Sequence, residues 1–135
     1  MNDDFDELLS QATKAQSSSH SPYSRFRVGA ALQSDDGKIF TGCNIESSSY
    51  GLTICAERVA LYKAVSEGVR SFRRMLIVTD AQDFCPPCGA CRQVIWDFAK
   101  NLEIILVNGE RQQKRQNITD LYPEAFGDNF LAGRG

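Results

Sequence analysis

Four residues of this chain have the types and spacing needed to hold and use a metal ion. Cys88 and Cys91 form a Cys-x-x-Cys pair, and Cys55 and Glu57 lie two residues apart in Cys-Ala-Glu-Arg. Thiolates at positions i and i+3 share one helix face and can bind the same ion. A third thiolate would leave zinc one open position, as catalytic zinc sites do. We therefore predict a zinc centre on the three cysteines, with the glutamate beside it.

Glu57 is the residue that would make such a centre catalytic. It lies early in the otherwise apolar segment 54–65, where a buried carboxylate is costly unless something holds it. Zinc can lower the pKa of a bound water to about 7, and a neighbouring carboxylate can then move its proton. Three thiolates exceed the charge of the ion, so we expect a cation nearby, with Arg58 as the first candidate and Arg92 as the second. Since residues i and i+2 do not face each other within a helix, the ion must lie beyond the helix end.

A closed structural zinc site is an alternative that the residues leave open. Cys85 precedes Cys88 by three residues, so a fourth thiolate from Cys85 or from Cys43 could fill the open position. Otherwise Cys43 is expected to be a small buried side chain. His20, the only histidine of the chain, is expected to be a loop residue.

Hydrophobic periodicity predicts the elements that position these residues. Helices are predicted over 3–16, 54–67 and 88–100, so the cysteines of interest stand at helix starts. Strands are predicted over 28–32, 38–41, 75–79 and 104–107, and the first two form a hairpin with a turn at 35–37. Loops are expected at 42–53 and 81–87, and the tail from residue 117 shows no clear periodicity. The order of elements indicates a three-layer α/β/α sandwich around a central mixed sheet of about five strands.

Size, composition and charge exclude several classes of function. A chain of 135 residues fits one domain, which we expect to span residues 1–135. Fifteen basic and 17 acidic residues give a net charge of −2, and the basic ones are scattered, which disfavours a nucleic-acid partner. No apolar stretch approaches the roughly 20 residues that cross a bilayer, and the acidic N-terminus lacks the pattern of a signal peptide. The cytoplasm is therefore expected, where cysteines are reduced thiols or metal ligands.

Several motifs together resemble the small homotetrameric cytidine deaminases. The similarity spans about residues 22–126 and includes Pro-Tyr-Ser-Arg-Phe-Arg-Val-Gly-Ala-Ala from Pro22, Gly-Cys-Asn-Ile-Glu from Gly42, Ser-Tyr-Gly-Leu-Thr-Ile-Cys-Ala-Glu-Arg from Ser49 and Pro-Cys-Gly-Ala-Cys-Arg-Gln from Pro87. The resemblance implies one Zn²⁺ per subunit on the three cysteines, with Glu57 as the proton shuttle. It also implies hydrolytic deamination of cytidine and 2′-deoxycytidine to uridine and 2′-deoxyuridine with release of ammonia, as part of pyrimidine salvage.

The resemblance also implies a substrate pocket that is shared between subunits. Asn44 and Glu46 match residues that hydrogen-bond the ribose, particularly its 3′-hydroxyl, and Phe26 matches an aromatic residue near the nucleoside. Phe126 resembles a tail aromatic that stacks on the base from a neighbouring subunit, which implies a homotetramer. The remaining implied pocket residues are Ser48, Tyr50 and Ala56.

Two departures from the family pattern affect the pocket. Ser47 and Ser48 stand where the family often has Asn-Ala, and Asp128 stands where a proline is usual.

The alternative substrate is a related aminopyrimidine, such as blasticidin S or a modified nucleoside. Blasticidin deaminases share Cys-Ala-Glu and Pro-Cys-x-x-Cys but differ in the loop of Asn44 and Glu46, so that loop favours cytidine. A zinc-binding protein without activity is the non-enzymatic alternative.

Overall fold

Five strands form one mixed sheet in the computed structural model, which describes residues 4–131. The strands are β1 Val28–Ser34, β2 Ile39–Cys43, β3 Phe72–Thr79, β4 Glu103–Val107 and β5 Gln113–Asn117. Their order across the sheet is β2-β1-β3-β4-β5. Strands β3 and β4 run parallel, and the three other neighbouring pairs run antiparallel. The central mixed sheet of five strands is therefore confirmed.

Helices cover both faces of this sheet. The helices are α1 Phe5–Gln16, α2 Ala56–Ser66, α3 Gly89–Phe98 and the short α4 Ile118–Leu121. On β1, Ala31 packs with Leu8 of α1 in one buried cluster, whereas Ala30 belongs to a second cluster with Leu61 of α2 and Ile95 of α3. Successive strand residues point to opposite faces of a sheet, so each strand contributes to both cores. The three-layer α/β/α architecture is thereby confirmed.

Two glycines allow the helices to lie close to the hairpin of β1 and β2. A Cβ atom at Gly29 would lie 2.1 Å from the carbonyl oxygen of Ala12 in α1, and one at Gly42 would lie 2.5 Å from that of Ala56 in α2. Neither position can hold a larger residue without moving the backbone of a helix. Gly42 thus fixes the first residue of α2 against the sheet.

Several boundaries differ from the sequence expectations. Strand β3 begins at Phe72, earlier than residue 75, and α2 begins at Ala56 because Cys55 is its N-cap residue. The loop expected over 42–53 contains the end of β2 and a 3-10 turn at Tyr50–Leu52. Position 3 of the expected first helix lies outside the described residues. None of the helices within residues 4–131 combines the length and apolarity that a bilayer crossing requires.

Candidate metal centre and active site

Two helix starts on the same face of the sheet bring three thiols together. Cys55 is the N-cap residue of α2, Cys88 is the N-cap residue of α3, and Cys91 lies in the first turn of α3. The Sγ atoms of Cys55 and Cys88 are 3.7 Å apart, and those of Cys88 and Cys91 are 3.4 Å apart. The unpaired N–H groups and the dipole of a helix start favour the thiolate form of such cysteines.

The spacing of the three sulfur atoms fits one zinc ion. All three lie within 4.8 Å of one another, and four-coordinate zinc with Zn–S bonds of about 2.3 Å places its sulfur ligands about 3.8 Å apart. Among residues 4–131, this is the group of Cys, His, Asp or Glu side chains that could hold a metal ion. Neither Cys85 nor Cys43 belongs to it, so the group offers three sulfur ligands, as an open catalytic site requires, and not four.

Arg58 lies against the thiol cluster. Its Nη2 atom donates a hydrogen bond to Cys55 Sγ at 3.3 Å. Hydrogen bonds from the Cys91 thiol and then from this guanidinium lower the pKa of Cys55 to about 5. The shared hydrogen bond with Cys55 correspondingly raises the pKa of Cys91. A cation at this position offsets the negative charge that three thiolates bring to one ion.

Arg92, the second candidate for that role, makes different contacts. Its Nε atom donates to the carbonyl oxygen of Pro87 at 2.8 Å, and its Nη1 atom donates to that of Leu121 at the same distance. The guanidinium therefore ties the residue that precedes Cys88 to the last residue of α4. Arg92 therefore holds the loop before α3 in place, whereas Arg58 is the one of the two that contacts a sulfur atom.

Glu57 is the second residue of α2 and is buried, with 6% of its surface exposed. Burial in the protein interior raises the pKa of its carboxyl group to about 7, and the nearby Cys55 thiolate acts in the same direction. A carboxyl group with a pKa near neutrality can both accept and donate a proton at physiological pH. Glu57 lines the same cavity as Cys55 and Cys88.

This cavity has a volume of about 260 Å³ and lies directly against the thiol cluster. Seven of the residues expected at the site line it, namely Phe26, Asn44, Glu46, Cys55, Ala56, Glu57 and Cys88. Cys91 is fully buried and does not line the cavity. An apolar wall with a few convergent polar groups is typical of a small-molecule site.

Three of the expected pocket residues lie elsewhere in the chain. Ser48 is exposed on the loop after β2. Tyr50 is exposed and lines a neighbouring cavity of about 290 Å³, which shares Ser24 and Glu46 with the first one. Phe126 is 54% exposed and stacks on Phe130, with 5.5 Å between the ring centres. The structure does not bring these three residues to the thiol-lined cavity of their own chain.

Asn44 connects β2 to the segment that precedes β1. Its Oδ1 atom accepts hydrogen bonds from the Val28 N–H at 2.9 Å and from Ser19 Oγ at 2.5 Å, and its Nδ2 atom donates to the Phe26 carbonyl oxygen at 2.6 Å. These bonds hold the side-chain amide in one orientation at the cavity wall.

Other residues that line the cavity were not among those expected from the sequence. Ser24, Cys85 and Pro86 line the cavity together with Val28 and Ile77. Ser24 stands in the Pro-Tyr-Ser-Arg-Phe motif, and Cys85 lies three residues before Cys88 in the loop that leads to α3, so motif membership and spacing could have indicated both. The sequence contained no signal for the strand residues, because a cavity-lining side chain has the same type as a core side chain.

The fold and the site together define an α/β enzyme with a cysteine-bound zinc cofactor. The sequence model of the cytidine and deoxycytidylate deaminase zinc-binding region matches residues 2–106, and the chain belongs to this family. It is 44% identical over 130 residues to a cytidine deaminase of Sporosarcina psychrophila, with 96% of each chain covered. It is also 44% identical over 133 residues to a probable cytidine deaminase of Dictyostelium discoideum, with 98% of this chain and 90% of that one covered.

The solved structures agree with the family. The crystal structure of a cytidine deaminase from Burkholderia pseudomallei is 42% identical and superposes with a TM-score of 0.88, covering 93% of this chain and 100% of that one. A blasticidin-S deaminase of Bacillus cereus is less similar, at 30% identity over 113 residues, with 78% of this chain and 80% of that one covered. The family resemblance and the zinc cofactor expected from the sequence are thus confirmed.

Proposed function

We propose that this chain is a cytidine deaminase, which hydrolyses cytidine and 2′-deoxycytidine to uridine and 2′-deoxyuridine with release of ammonia. The observation that carries the proposal is the buried Glu57 carboxyl beside three converging thiols at the wall of one cavity. The names of the relatives that match most of the chain support the same substrate class.

Zinc, Glu57 and Arg58 each have a separate role in this reaction. Zinc, when held by the three thiolates, supplies a Lewis acid that makes water a nucleophile at neutral pH. Glu57 would accept one proton from water and deliver it to ring N3 as the hydroxide adds to C4. It would then take the proton of the new C4 hydroxyl and pass it to the amino group, so that the C4–N bond breaks, ammonia leaves and a C4 carbonyl forms. One water molecule is added and one ammonia leaves, so the reaction needs no other reactant. The contact between Arg58 and Cys55 limits the negative charge at the sulfur atoms.

The sugar and base would be bound by the polar and aromatic residues at the cavity wall. Asn44 and Glu46 are proposed to bind sugar hydroxyls, and Phe26 and Ala56 to contact the nucleoside, which their positions at the cavity support. Tyr50, on the neighbouring cavity, and Ser48, on the same loop, remain proposed pocket residues although neither lines the thiol-lined cavity.

The proposal includes a homotetramer in which subunits share their sites. Large apolar side chains that would otherwise face water support it, and they are Tyr23, Ile45, Tyr50, Leu52, Tyr62, Phe126, Phe130 and Leu131. Phe126 does not line the cavity of its own chain and is 54% exposed, which leaves it available to a neighbouring subunit. Light scattering coupled to size-exclusion chromatography measures the subunit number, and a monomer with full activity would contradict this part.

Two further expectations belong to the proposal. Residues 1–135 are proposed to act as a single catalytic domain, which one sheet with a core on each face supports. A cytoplasmic location is proposed because the five cysteines are unpaired in the structure and thiolate ligands require a reducing compartment.

The deciding experiment measures zinc content and loss of cytidine absorbance in the same purified sample. We expect one zinc per chain and turnover of both cytidine and 2′-deoxycytidine. A panel that includes blasticidin S tests the alternative substrate class. If both nucleosides remain unchanged while another amine is consumed, the proposal is wrong.

A further inference from the structure

Tyr23 and Ser24 together donate three hydrogen bonds to the carboxylate of Glu46. The Ser24 hydroxyl donates to Glu46 Oε2, and the backbone N–H groups of Tyr23 and Ser24 donate to Oε1 at 2.9 and 3.2 Å. The Phe26 N–H in turn donates to Ser24 Oγ at 3.0 Å. The Phe26 N–H binds a lone pair of Ser24 Oγ, so the single hydrogen of the hydroxyl is left for the bond to Glu46.

The backbone of this segment presents the donors to the carboxylate. Arg25 has a left-handed conformation, with φ at 60°, which is uncommon for a residue with a side chain. Its N–H donates to the Ser21 carbonyl oxygen at 2.9 Å and closes the turn. The turn places Tyr23 and Ser24 over one side of Glu46.

The side chains of Glu46 and Asn44 each retain hydrogen-bonding capacity for a ligand. A carboxylate has about four acceptor positions, and the three bonds from the turn use three of them. The Asn44 amide has two hydrogens, of which one goes to the Phe26 carbonyl oxygen. Both side chains line the cavity beside the thiol cluster. Together they offer one acceptor and one donor, which is the complement of a single hydroxyl group.

We infer that Ser24 is a positioning residue for substrate specificity, which fixes the Glu46 carboxylate so that its remaining acceptor position meets a secondary hydroxyl of the sugar. This inference rests on the proposed function. Ser24 lines the cavity as well, but its hydrogen is committed to Glu46, so it acts through that carboxylate. Removing the hydroxyl would let the carboxylate rotate and use its acceptor positions elsewhere.

The test compares Ser24→Ala with the wild type on two substrates. For cytidine we expect KM to rise about tenfold while kcat stays within about twofold, because a lost contact that is equal in ground and transition states changes KM alone. For 2′,3′-dideoxycytidine, which lacks both secondary hydroxyls, we expect KM to change by less than about twofold. A rise of equal size for both substrates, or no rise for either, would overturn the inference.

Two further variants separate positioning from a general loss of structure. Ser24→Thr retains the hydroxyl, so it should restore most of the preference for the sugar hydroxyls. Ser66→Ala serves as the matched control, because the Ser66 hydroxyl donates to the Lys63 carbonyl oxygen at the far end of α2. It should leave both KM values unchanged, and a Ser24→Thr variant as defective as Ser24→Ala would argue against the inference.

A binding measurement makes the inference independent of turnover. Calorimetry with uridine and 2′,3′-dideoxyuridine compares the two sugars on the same variants. If the wild type binds uridine but does not convert cytidine, the proposed activity is wrong, and the Ser24 inference is still decided by whether Ser24→Ala weakens uridine alone. If Ser24→Ala weakens both ligands equally, the inference is wrong and the proposed activity stands.

Discussion

Glu57 lies between two groups with opposite effects on its charge. The Cys55 thiolate disfavours the ionised carboxylate and the Arg58 guanidinium favours it, while burial has the largest effect and brings the pKa to about 7. A carboxyl group in this range is suited to moving protons in both directions. Packing alone does not explain a carboxyl group at this buried position of α2, whereas proton transfer does.

Replacing Glu57 by glutamine should remove turnover and leave the fold intact. Glutamine has nearly the same shape but cannot accept a proton, so we expect kcat for cytidine to fall by about 10²–10⁴-fold. Removing a buried ionisable group relieves a cost of burial, so thermal stability should not decrease. Kinetics, zinc content and a melting curve on one sample check this, and near-normal turnover would exclude Glu57 as the proton carrier.

The sequence was sufficient to find the thiol cluster but not the contacts around it. Cys88 and Cys91 could be selected because their i, i+3 spacing matches helix geometry, and Cys55 because it stands two residues before Glu57 at another expected helix start. The bonds of Ser24 to Glu46 join segments 22 residues apart, and no local pattern encodes such a contact. The sequence ranked Arg58 ahead of Arg92 as the cation near the sulfur atoms, but the bonds of Arg92 to the carbonyl oxygens of Pro87 and Leu121 depend on the folded chain.

At the level of elements, Gly42 determines how closely β2 approaches α2. The absence of a side chain there lets the carbonyl oxygen of Ala56 lie against the strand. Ala56 follows Cys55, so the same contact sets the position of one metal ligand relative to the sheet.

Gly42→Ala should destabilise the protein by about 1–3 kcal/mol, since the added Cβ atom overlaps backbone that cannot move freely. We also expect weaker zinc binding, because the start of α2 must shift. Chemical denaturation and competition with a zinc chelator measure the two effects. Gly51→Ala is the matched control for stability, since a Cβ atom there would meet nothing within 4 Å, and an equal loss in both variants would contradict this explanation.

Helix α3 also holds the tail of the chain. The Gln93 Oε1 atom accepts from the Tyr122 hydroxyl at 2.5 Å, and its Nε2 atom donates to the Phe126 carbonyl oxygen at 2.9 Å. The helix that carries two of the thiols thus also determines where the aromatic tail residue is displayed.

Gln93→Ala should release the tail without unfolding the sheet. Both bonds to the tail are lost, so we expect chymotrypsin to cleave after Phe126 at least about fivefold faster, at a stability cost of about 1–2 kcal/mol. Mass spectrometry of timed digests locates the cuts. Gln11→Ala is the control, since the Gln11 amide bonds to Glu7 on the same exposed helix, and unchanged cleavage in Gln93→Ala would show that other contacts hold the tail.

Helices and buried strands were predictable at this scale, whereas β5 and α4 were not. The buried runs of β3 and β4 are apolar on both faces, which marks strands that are covered by helices. Strand β5 has the sequence Gln-Lys-Arg-Gln-Asn and contains no apolar residue to alternate. It forms because β4 offers it a free edge, and this is a property of the assembled sheet.

For the whole molecule, the metal centre links α2 to α3 through Cys55 and Cys88, which are 33 residues apart in the chain. Removing zinc should therefore lower the melting temperature as well as the activity. At a free zinc concentration 1,000 times Kd, the expected loss is about 4 kcal/mol. Melting curves with and without a chelator measure it. In Cys88→Ser, the chelator should have little effect, and a wild type that melts at the same temperature in both conditions would contradict a metal that links α2 to α3.

Strand β5 has one further consequence, which concerns behaviour in a crowded solution. A border strand exposes unpaired amide and carbonyl groups, and these can recruit a strand from another molecule into a growing stack. Here the border carries Lys114 and Arg115, and the exposed part of the strand is entirely hydrophilic. Charged, strongly hydrated side chains make such lateral addition costly. The segment that contributes least to the buried interior therefore protects the protein against fibrillar self-association.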